Sequence, residues 1–228
     1  MYNLALVGKN IAHSRSPEIY NKLLDGKVSY HLLDFSSENE IPKADELLKI
    51  YDGISITSPY KKFFIDQVKL IGPSQELKAI NCIRKNSSVL EGANTDLLAI
   101  EEILKNYHDK FESVILLGDG VMSSVTQFVL KKLSLKYLVL SRRLNKNFDQ
   151  LNLSEYVGKQ KVLVINTCAR QYVYQGDVVE NILFWDFNYN FDAHRLKFNS
   201  KCMYMDGLEM LELQAKYAIA FWSNEKLS

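Results

Sequence analysis

The chain has 228 residues, of which 47% are hydrophobic and 24% are charged, an ordinary composition for a soluble protein with a substantial core. Its formal net charge of +1 gives no electrostatic signature for nucleic acid or an anionic membrane. No apolar run approaches the roughly 18 residues of a membrane span, and the N-terminus lacks the basic segment and cleavage site of a signal peptide.

The cysteines and histidines predict neither a disulfide framework nor a metal site. Cys82, Cys168 and Cys202 are odd in number and widely spaced, a pattern typical of reduced thiols in a cytoplasmic protein. The four histidines are scattered without the spacing of metal ligands. We therefore expect a cytoplasmic protein without a metal.

The first elements predict an α/β fold with an anion site near its N-terminus. Residues 4–7 form an apolar run typical of a buried strand, and the loop that begins at Gly8 leads to a helix start at Ser16, followed by Pro17. Ser14 and Ser16 lie where backbone N–H groups and hydroxyls can hold a carboxylate. Alternatively, Ser16 only caps the helix and Ser14 lies on the surface.

Strands alternating with helices continue through the first half of the chain, which predicts a parallel α/β sheet. Two short extended segments then suggest a hairpin. The expected elements are strands at 28–35 and 53–56, helices at 43–51 and 61–70, and extended segments at 79–83 and 89–91.

Residues 55–61 read Ser-Ile-Thr-Ser-Pro-Tyr-Lys and join a strand to the following segment. Pro59 fixes its own φ and favours an extended conformation at the preceding residue. We therefore expect Thr57 and Lys61 to face one cleft, although a lysine after a turn is often only a solvated charge. Further along, Asn94 or Thr95 is expected to cap a helix over 97–107, with Asp96 in its first turn. There Asp96 either complements the helix dipole or takes part in chemistry.

The segment after the strand at 113–117 carries a dinucleotide-binding pattern. Gly118 permits a tight turn, Gly120 lets the backbone approach a pyrophosphate, and Ser123 takes the place of the third glycine before a helix to about 133. The next strand, 136–140, ends in Ser141, Arg142 and Arg143. Arginine there suits a 2′-phosphate and favours NADP over NAD, with Lys146 as a second positive contact, although such arginines are often merely solvated.

The last third predicts further strands and a final helix. Segment 190–200 is polar and gives no prediction. The expected elements are strands at 162–165, 182–186 and 201–205 and a helix at 208–222. Gln214 lies on an apolar face of that helix, as a ligand contact or, more commonly, as a structural amide.

Taken together, the sequence resembles the shikimate dehydrogenase (shikimate/quinate dehydrogenase) family along nearly its whole length, because six motifs occur in family order. The motifs are residues 8–21 with His-Ser-Arg-Ser-Pro, 53–61, 79–82 (Ala-Ile-Asn-Cys), 94–96 (Asn-Thr-Asp), the Gly118 loop with residues 141–143, and 207–214. Residues 186–189 also match the family's Asp-x-x-Tyr.

The resemblance implies a two-domain α/β fold and NADPH-dependent reduction of 3-dehydroshikimate to shikimate by a monomer or homodimer. It implies a substrate domain of residues 1–95 plus 208–228, which the C-terminal helix completes, and a Rossmann-type NADP domain of residues 96–207. The implied catalytic residues are Lys61 and Asp96. The implied substrate contacts are Ser14, Ser16, Thr57, Asn81, Tyr189 and Gln214. The implied cofactor contacts are Gly118, Asp119, Gly120, Val121, Met122, Ser141, Arg142, Arg143, Lys146, Thr167 and Gly207.

The sequence also departs from the family pattern, mainly in its cofactor half. Asp119 places a negative charge near the expected pyrophosphate, and Val121 adds bulk where close approach is wanted. Ser55 and Cys82 replace commoner residues, and the chain is shorter than usual for the family. Two alternatives therefore stay open: a quinate/shikimate dehydrogenase with a different cofactor preference, and a shikimate-binding module with little catalysis.

Overall fold

The structure is a computed structural model that describes residues 1–224 in two compact units. The first unit comprises residues 1–99 and 211–224, and the second comprises residues 100–210. The expected two-domain α/β fold, with a C-terminal helix that returns to the first domain, is confirmed. The units divide after residues 99 and 210, within the fourth and last helices, whereas the boundaries predicted from the sequence follow residues 95 and 207.

Within residues 1–224 the regular elements are strands and α-helices, with a few short 3₁₀ turns. The strands are β1 (Tyr2–Gly8), β2 (Val28–Asp34), β3 (Gly53–Ile56), β4 (Lys69–Leu70), β5 (Cys82–Asn86), β6 (Val89–Ala93), β7 (Ser113–Leu117), β8 (Tyr137–Leu140), β9 (Val162–Asn166), β10 (Ile182–Asp186) and β11 (Met203–Met205). The helices are α1 (Ser16–Leu23), α2 (Ala44–Leu47), α3 (Ser74–Leu77), α4 (Thr95–Tyr107), α5 (Val121–Lys132), α6 (Asp192–Phe198) and α7 (Leu208–Trp222).

The sheet of the first unit has the order β2-β1-β3-β5-β6-β4. Strands β2, β1 and β3 are parallel, whereas β5 pairs antiparallel with β3 and β6, which confirms the predicted hairpin. Leu4, Ala5 and Val7 on the central strand β1 are fully buried. Both faces of β1 are therefore covered, which explains its continuous apolar run. The larger side chains, Leu4 and Val7, each contribute about 1.5–3 kcal/mol by their burial.

The last helix, α7, packs on the first sheet. Ala215, Ala218 and Phe221 are buried there with residues of α1 and β1. The indole Nε1 of Trp222 donates to the carbonyl of Ile83 at 3.0 Å. These contacts anchor α7 to the first unit.

The sheet of the second unit has the order β11-β10-β9-β7-β8 and is parallel throughout. The chain runs from β7 outward to β8 and then returns to β9 on the other side of β7. In such sheets ligands bind at the carboxyl ends of the strands where the order reverses. That point lies between the loops that follow β7 and β9, which begin at Gly118 and Thr167.

Several sequence-based predictions were wrong in detail. Residues 61–67 form turns instead of a helix, with bonds such as Phe63 N to Tyr60 O at 2.9 Å, and residues 69–70 form β4. The predicted helix at 43–51 is shortened to α2. Ser16 is the first residue of α1 and not its cap, since Arg15 occupies the capping position. Helix α6 lies in the polar segment that gave no prediction.

Across residues 1–224, no helix combines the length and apolarity that crossing a membrane demands. The same range contains no cluster of three or more histidine, cysteine or acidic side chains suited to a metal ion. The three cysteines are free thiols.

Candidate active site

A buried ion pair joins two of the residues singled out by the sequence. The Nζ atom of Lys61 lies 2.7 Å from Oδ2 of Asp96, and both side chains are 9% exposed. The carbonyl of Lys61 accepts from the backbone N–H of Ile80 at 2.8 Å, which ties the turn after β3 to the strand region before β5. Residues 35 apart in sequence are thereby held in contact.

Helix α4 fixes the position of Asp96. The Asn94 side chain accepts from the backbone N–H of Leu97 at 3.2 Å and donates to the carbonyl of Ala79 at 3.2 Å. Asn94 therefore caps the helix, which confirms one of the two expected capping residues. Asp96 lies in the first turn, where the helix dipole favours a carboxylate.

Asn81 is the centre of a second buried hydrogen-bond group. Its Oδ1 accepts from the Thr95 backbone N–H at 2.7 Å, and its Nδ2 donates to Oγ1 of Thr95 at 2.9 Å. The same Nδ2 donates to Oε1 of Gln214 at 3.3 Å, and Gln214 Nε2 donates to the carbonyl of Leu211. Because both amides are buried and oriented by neighbours, they are held ready for directed hydrogen bonds.

The remaining substrate candidates of the first unit lie just after β1 and β3, with Ser14 and Thr57 on loops and Ser16 at the start of α1. Ser14 Oγ donates to Ser16 Oγ at 3.2 Å, and the Ser14 backbone N–H donates to the carbonyl of Ile11. The Thr57 backbone N–H donates to the carbonyl of Val7 at 2.9 Å. A Cβ atom at Gly8 would lie 2.5 Å from Cγ2 of Thr57, so only glycine permits this approach.

The glycine loop of the second unit has the geometry that the sequence predicted. Gly118 has φ +105°, and a Cβ atom there would lie 2.8 Å from Oγ1 of Thr167, so the position requires glycine. Thr167 in turn donates from Oγ1 to the carbonyl of Leu117 at 2.7 Å. At Gly120 a Cβ atom would meet nothing within 4 Å, and α5 begins at the next residue.

Val121 and Met122 open helix α5, so their backbone N–H groups belong to its N-terminal turn. Such a turn carries partial positive charge and suits a phosphate. Open space beside Gly120 leaves room for that group. This part of the loop therefore fits a dinucleotide phosphate.

Both predicted 2′-phosphate arginines carry a carboxylate partner. Arg143 Nε lies 3.2 Å from Asp119 Oδ2, and Arg142 Nη2 lies 2.8 Å from Asp149 Oδ1. All four residues are exposed or nearly so, as is Lys146. The charge of Asp119, which was expected to oppose a pyrophosphate, is thus partly neutralised by Arg143. Ser141 is buried and accepts from the Leu144 backbone N–H through its hydroxyl, which shapes the same loop.

Gly207 and Tyr189 also belong to the second unit or its boundary. A Cβ atom at Gly207 would collide with the carbonyl of Phe187, so glycine there permits close backbone packing. The carbonyl of Tyr189 accepts from Arg170 Nη1 at 2.6 Å. The roles proposed for these two residues in ligand binding stay predictions.

The second unit also contains a buried dyad that was not predicted from the sequence. Nδ1 of His194 lies 2.6 Å from Oδ2 of Asp186, and both side chains have no exposed surface. The other carboxylate oxygen accepts from the Asn166 side chain at 3.0 Å and from Asn188. This network connects the ends of β9 and β10 to α6. Asp186 was visible in the Asp-x-x-Tyr motif, whereas His194 lies in the segment that carried no signal.

The chain is similar to known shikimate dehydrogenases. Residues 6–83 match the family model of the shikimate dehydrogenase substrate binding domain. A shikimate dehydrogenase of Sulfurisphaera tokodaii is 28% identical over 239 residues, which cover 98% of this chain and 90% of that relative. A shikimate dehydrogenase (NADP(+)) of Prochlorococcus marinus strain MIT 9301 is 29% identical over 261 residues, with 97% and 91% coverage. The resemblance inferred from the motifs is confirmed.

Solved structures give the same fold. Shikimate dehydrogenase from Aquifex aeolicus superposes with a TM-score of 0.79 at 20% identity, covering 100% of this chain and 94% of the other. The enzyme from Thermus thermophilus in complex with NADP(H) and shikimate superposes with a TM-score of 0.72 at 20% identity, with 98% and 94% coverage. These likenesses establish the two-domain architecture.

Proposed function

Because the chain is related to the shikimate dehydrogenases along nearly its whole length, we propose that it catalyses the NADPH-dependent reduction of 3-dehydroshikimate to shikimate. Two curated relatives are named shikimate dehydrogenase (NADP(+)). The observation that carries the proposal is the buried Lys61–Asp96 pair, 2.7 Å apart. A buried lysine beside one carboxylate is suited to proton transfer at a substrate oxygen.

Reduction of a ketone adds a hydride to carbon and a proton to oxygen, and NADPH supplies the hydride when bound. The Lys61 ammonium donates the proton to the carbonyl oxygen and stabilises the negative charge that develops there. Asp96 holds the ammonium group in place through the 2.7 Å contact. In the reverse direction, Lys61 accepts the proton of the reacting hydroxyl.

The other polar side chains of the first unit orient the ring. Ser14 and Ser16 bind the substrate carboxylate with their hydroxyls, and Thr57 contacts a ring hydroxyl. Asn81 and Gln214, already hydrogen-bonded to each other at 3.3 Å, contact the remaining hydroxyls. Fixing the ring in one orientation lowers the entropic part of the barrier. Tyr189 completes the proposed substrate contacts.

The second unit holds NADPH in this proposal. Gly118, Gly120 and the first turn of α5 take the pyrophosphate, and Asp119, Val121 and Met122 line it. Arg142, Arg143 and Lys146 take the 2′-phosphate, with Ser141 shaping their loop; Thr167 and Gly207 are the further contacts. The open space beside Gly120 supports this assignment, since a phosphate needs close access to backbone N–H groups.

Replacing Asp119 with alanine is expected to tighten NADPH binding about three- to tenfold. The change removes a negative charge beside the phosphate loop and releases Arg143 from its 3.2 Å ion pair. Fluorescence titration of NADPH at fixed ionic strength measures the effect. Asp109→Ala, which removes an exposed acid of the same unit, is the matched control for net charge. Weaker binding by Asp119→Ala would show that Asp119 instead holds Arg143 in its binding position.

The proposal has two further parts. The protein acts in the cytoplasm, which its three free thiols favour, and it works as a monomer or homodimer. Quinate turnover remains the same-class alternative, since the ring contacts named above suit either ring acid. Asp119 and Val121 favour the alternative of a binding module with little catalysis, because they disfavour a pyrophosphate at the glycine loop. The ion pair with Arg143 weakens the argument from Asp119, since it partly neutralises that charge.

The initial rate of NADP reduction, followed at 340 nm with shikimate, tests the proposal. NAD and quinate are run as parallel substrates at the same concentrations. Turnover that prefers NADP and shikimate supports the proposed enzyme. No turnover, together with a shikimate-induced rise in melting temperature, would favour the binding module.

A further inference from the structure

Among the described residues of the first unit, four buried side-chain hydroxyls lack a hydrogen-bond partner. Three of them belong to Tyr20, Tyr30 and Ser55, and the fourth belongs to Ser74 on α3. Tyr20 is 1% exposed and Ser55 is 6% exposed. Leaving such a group unpaired costs about 1–3 kcal/mol, and most buried polar groups are paired. Three together in one place therefore call for an explanation.

The sheet register places the three groups on one face. Tyr30 on β2 pairs with Leu4, and Ser55 on β3 pairs with Leu6. Alternate residues of β1 point to the same face, so Tyr30 and Ser55 do as well. Tyr20 on α1 covers this face, and its ring stacks on that of Tyr30 with centroids 4.7 Å apart.

This cluster continues into the proposed carboxylate site. Ser16 lies four residues before Tyr20 on the same face of α1 and is itself buried. Burial raises the pKa of Tyr30, and the Ser55 and Ser16 hydroxyls lie close enough to the Tyr30 hydroxyl to offset part of that rise. Neither contact has the geometry of a hydrogen bond. Ser16 Oγ already accepts from Ser14 Oγ at 3.2 Å.

The chemistry of the cluster suits an anion. Burial raises the pKa of both Tyr20 and Tyr30, so both hydroxyls keep their protons at neutral pH and can donate. The neighbouring Tyr30 raises the pKa of Tyr20 further, whereas the Ser55 hydroxyl lowers it. If a tyrosine hydroxyl of the cluster donates to Ser16 Oγ, the Ser16 hydroxyl keeps its own proton available to donate to a carboxylate.

We propose that Tyr30 is a positioning residue for substrate recognition, whose hydroxyl donates to Ser16 Oγ when the substrate carboxylate binds. The Ser16 hydroxyl then donates to the carboxylate, and Tyr20 and Ser55 complete the donor chain behind it. This inference rests on the proposed function and adds to it a residue that contributes to specificity for ring acids. The unpaired hydroxyls lower the stability of the fold and serve substrate binding.

Tyr30→Phe tests this assignment by separating binding from chemistry. We expect KM for shikimate, and its Kd from calorimetry without cofactor, to rise about five- to tenfold, with kcat within twofold of the unmodified protein. The melting temperature should not fall, because the variant loses an unpaired buried hydroxyl. The shikimate methyl ester, which lacks the anionic carboxylate, should bind both proteins equally.

Tyr204→Phe is the matched control, since the Tyr204 hydroxyl is also buried and unpartnered but belongs to the second unit. It should leave KM for shikimate unchanged. Ser55→Ala gives a second variant, with a smaller rise in KM, if Tyr30→Phe is poorly folded. Normal turnover with an unchanged KM and a lower melting temperature for Tyr30→Phe would overturn the inference alone. Failure of the unmodified protein to bind shikimate would overturn it together with the proposed function.

Discussion

Replacing Lys61 with alanine is expected to lower kcat for shikimate oxidation about 10³-fold, with little change in KM. The ammonium group is the proposed proton donor and acceptor at the reacting oxygen, so its loss removes an interaction made in the transition state. Lys61 is 7% exposed and fixed by Asp96, so no solvent group can readily take its place. Steady-state kinetics at 340 nm measure both parameters.

Two further variants separate lost chemistry from lost folding. Lys62→Ala removes the exposed neighbouring lysine and should leave kcat within twofold. Lys61→Ala leaves Asp96 buried without its partner, which costs about 3–5 kcal/mol. The double variant Lys61→Ala with Asp96→Asn should therefore melt higher than the single variant and remain inactive. A well-folded Lys61→Ala protein with normal kcat would exclude the catalytic pair.

The pattern of apolar runs and glycines was sufficient to predict much of the fold. Strands β3, β7 and β10 have the bounds expected from sequence, because each is a short apolar run ended by a turn residue or a polar group. The Gly118 loop was also predicted, since a positive φ and a close contact leave few residue types other than glycine. Local sequence patterns therefore predict the elements whose structure depends mainly on neighbouring residues.

The predictions failed where partners distant in sequence decide the structure. Residues 61–67 have helical composition, yet Phe64 is fully buried and Gln67 accepts from the backbone N–H of Ala44 through its side chain. Tertiary contacts thus outweigh helix propensity in this segment. The ion pair of Asp119 with Arg143 likewise joins two loops, and sequence alone gave Asp119 as an uncompensated charge.

In the candidate site, too, the sequence predicts some features and contacts between distant residues determine the others. The motifs identified Lys61 and Asp96 as residues of interest, but only the fold brings their side chains to 2.7 Å. The hydroxyl cluster of Tyr20, Tyr30 and Ser55 could not be predicted, because its members come from a helix and two strands. Their common face depends on the sheet register, which no local pattern of these residues specifies.

Replacing His194 with alanine is expected to destabilise the second unit by about 3–5 kcal/mol. The Nε2 atom accepts from the Tyr174 backbone N–H at 2.8 Å, so the ring proton lies on Nδ1 and is donated to Asp186 at 2.6 Å. Alanine would leave both partners buried without these bonds and would open a cavity beside Phe184 and Phe198. The melting temperature should fall by about 10 °C or more.

The His194→Ala variant should also affect ligand binding, because this hydrogen-bond network supports neighbouring loops. Asp186 also accepts from Asn166 and Asn188, which adjoin the loops after β9 and β10. His194→Ala should therefore weaken NADPH binding while the Kd for shikimate, whose proposed contacts lie mainly in the first unit, stays within twofold. His194→Phe keeps the ring and should recover the packing part of the loss but not the polar part. His108→Ala, at an exposed histidine of the same unit, is the control and should change stability by less than about 0.5 kcal/mol. Equal melting temperatures for His194→Ala and His108→Ala would mean that the dyad is not a main support of this unit.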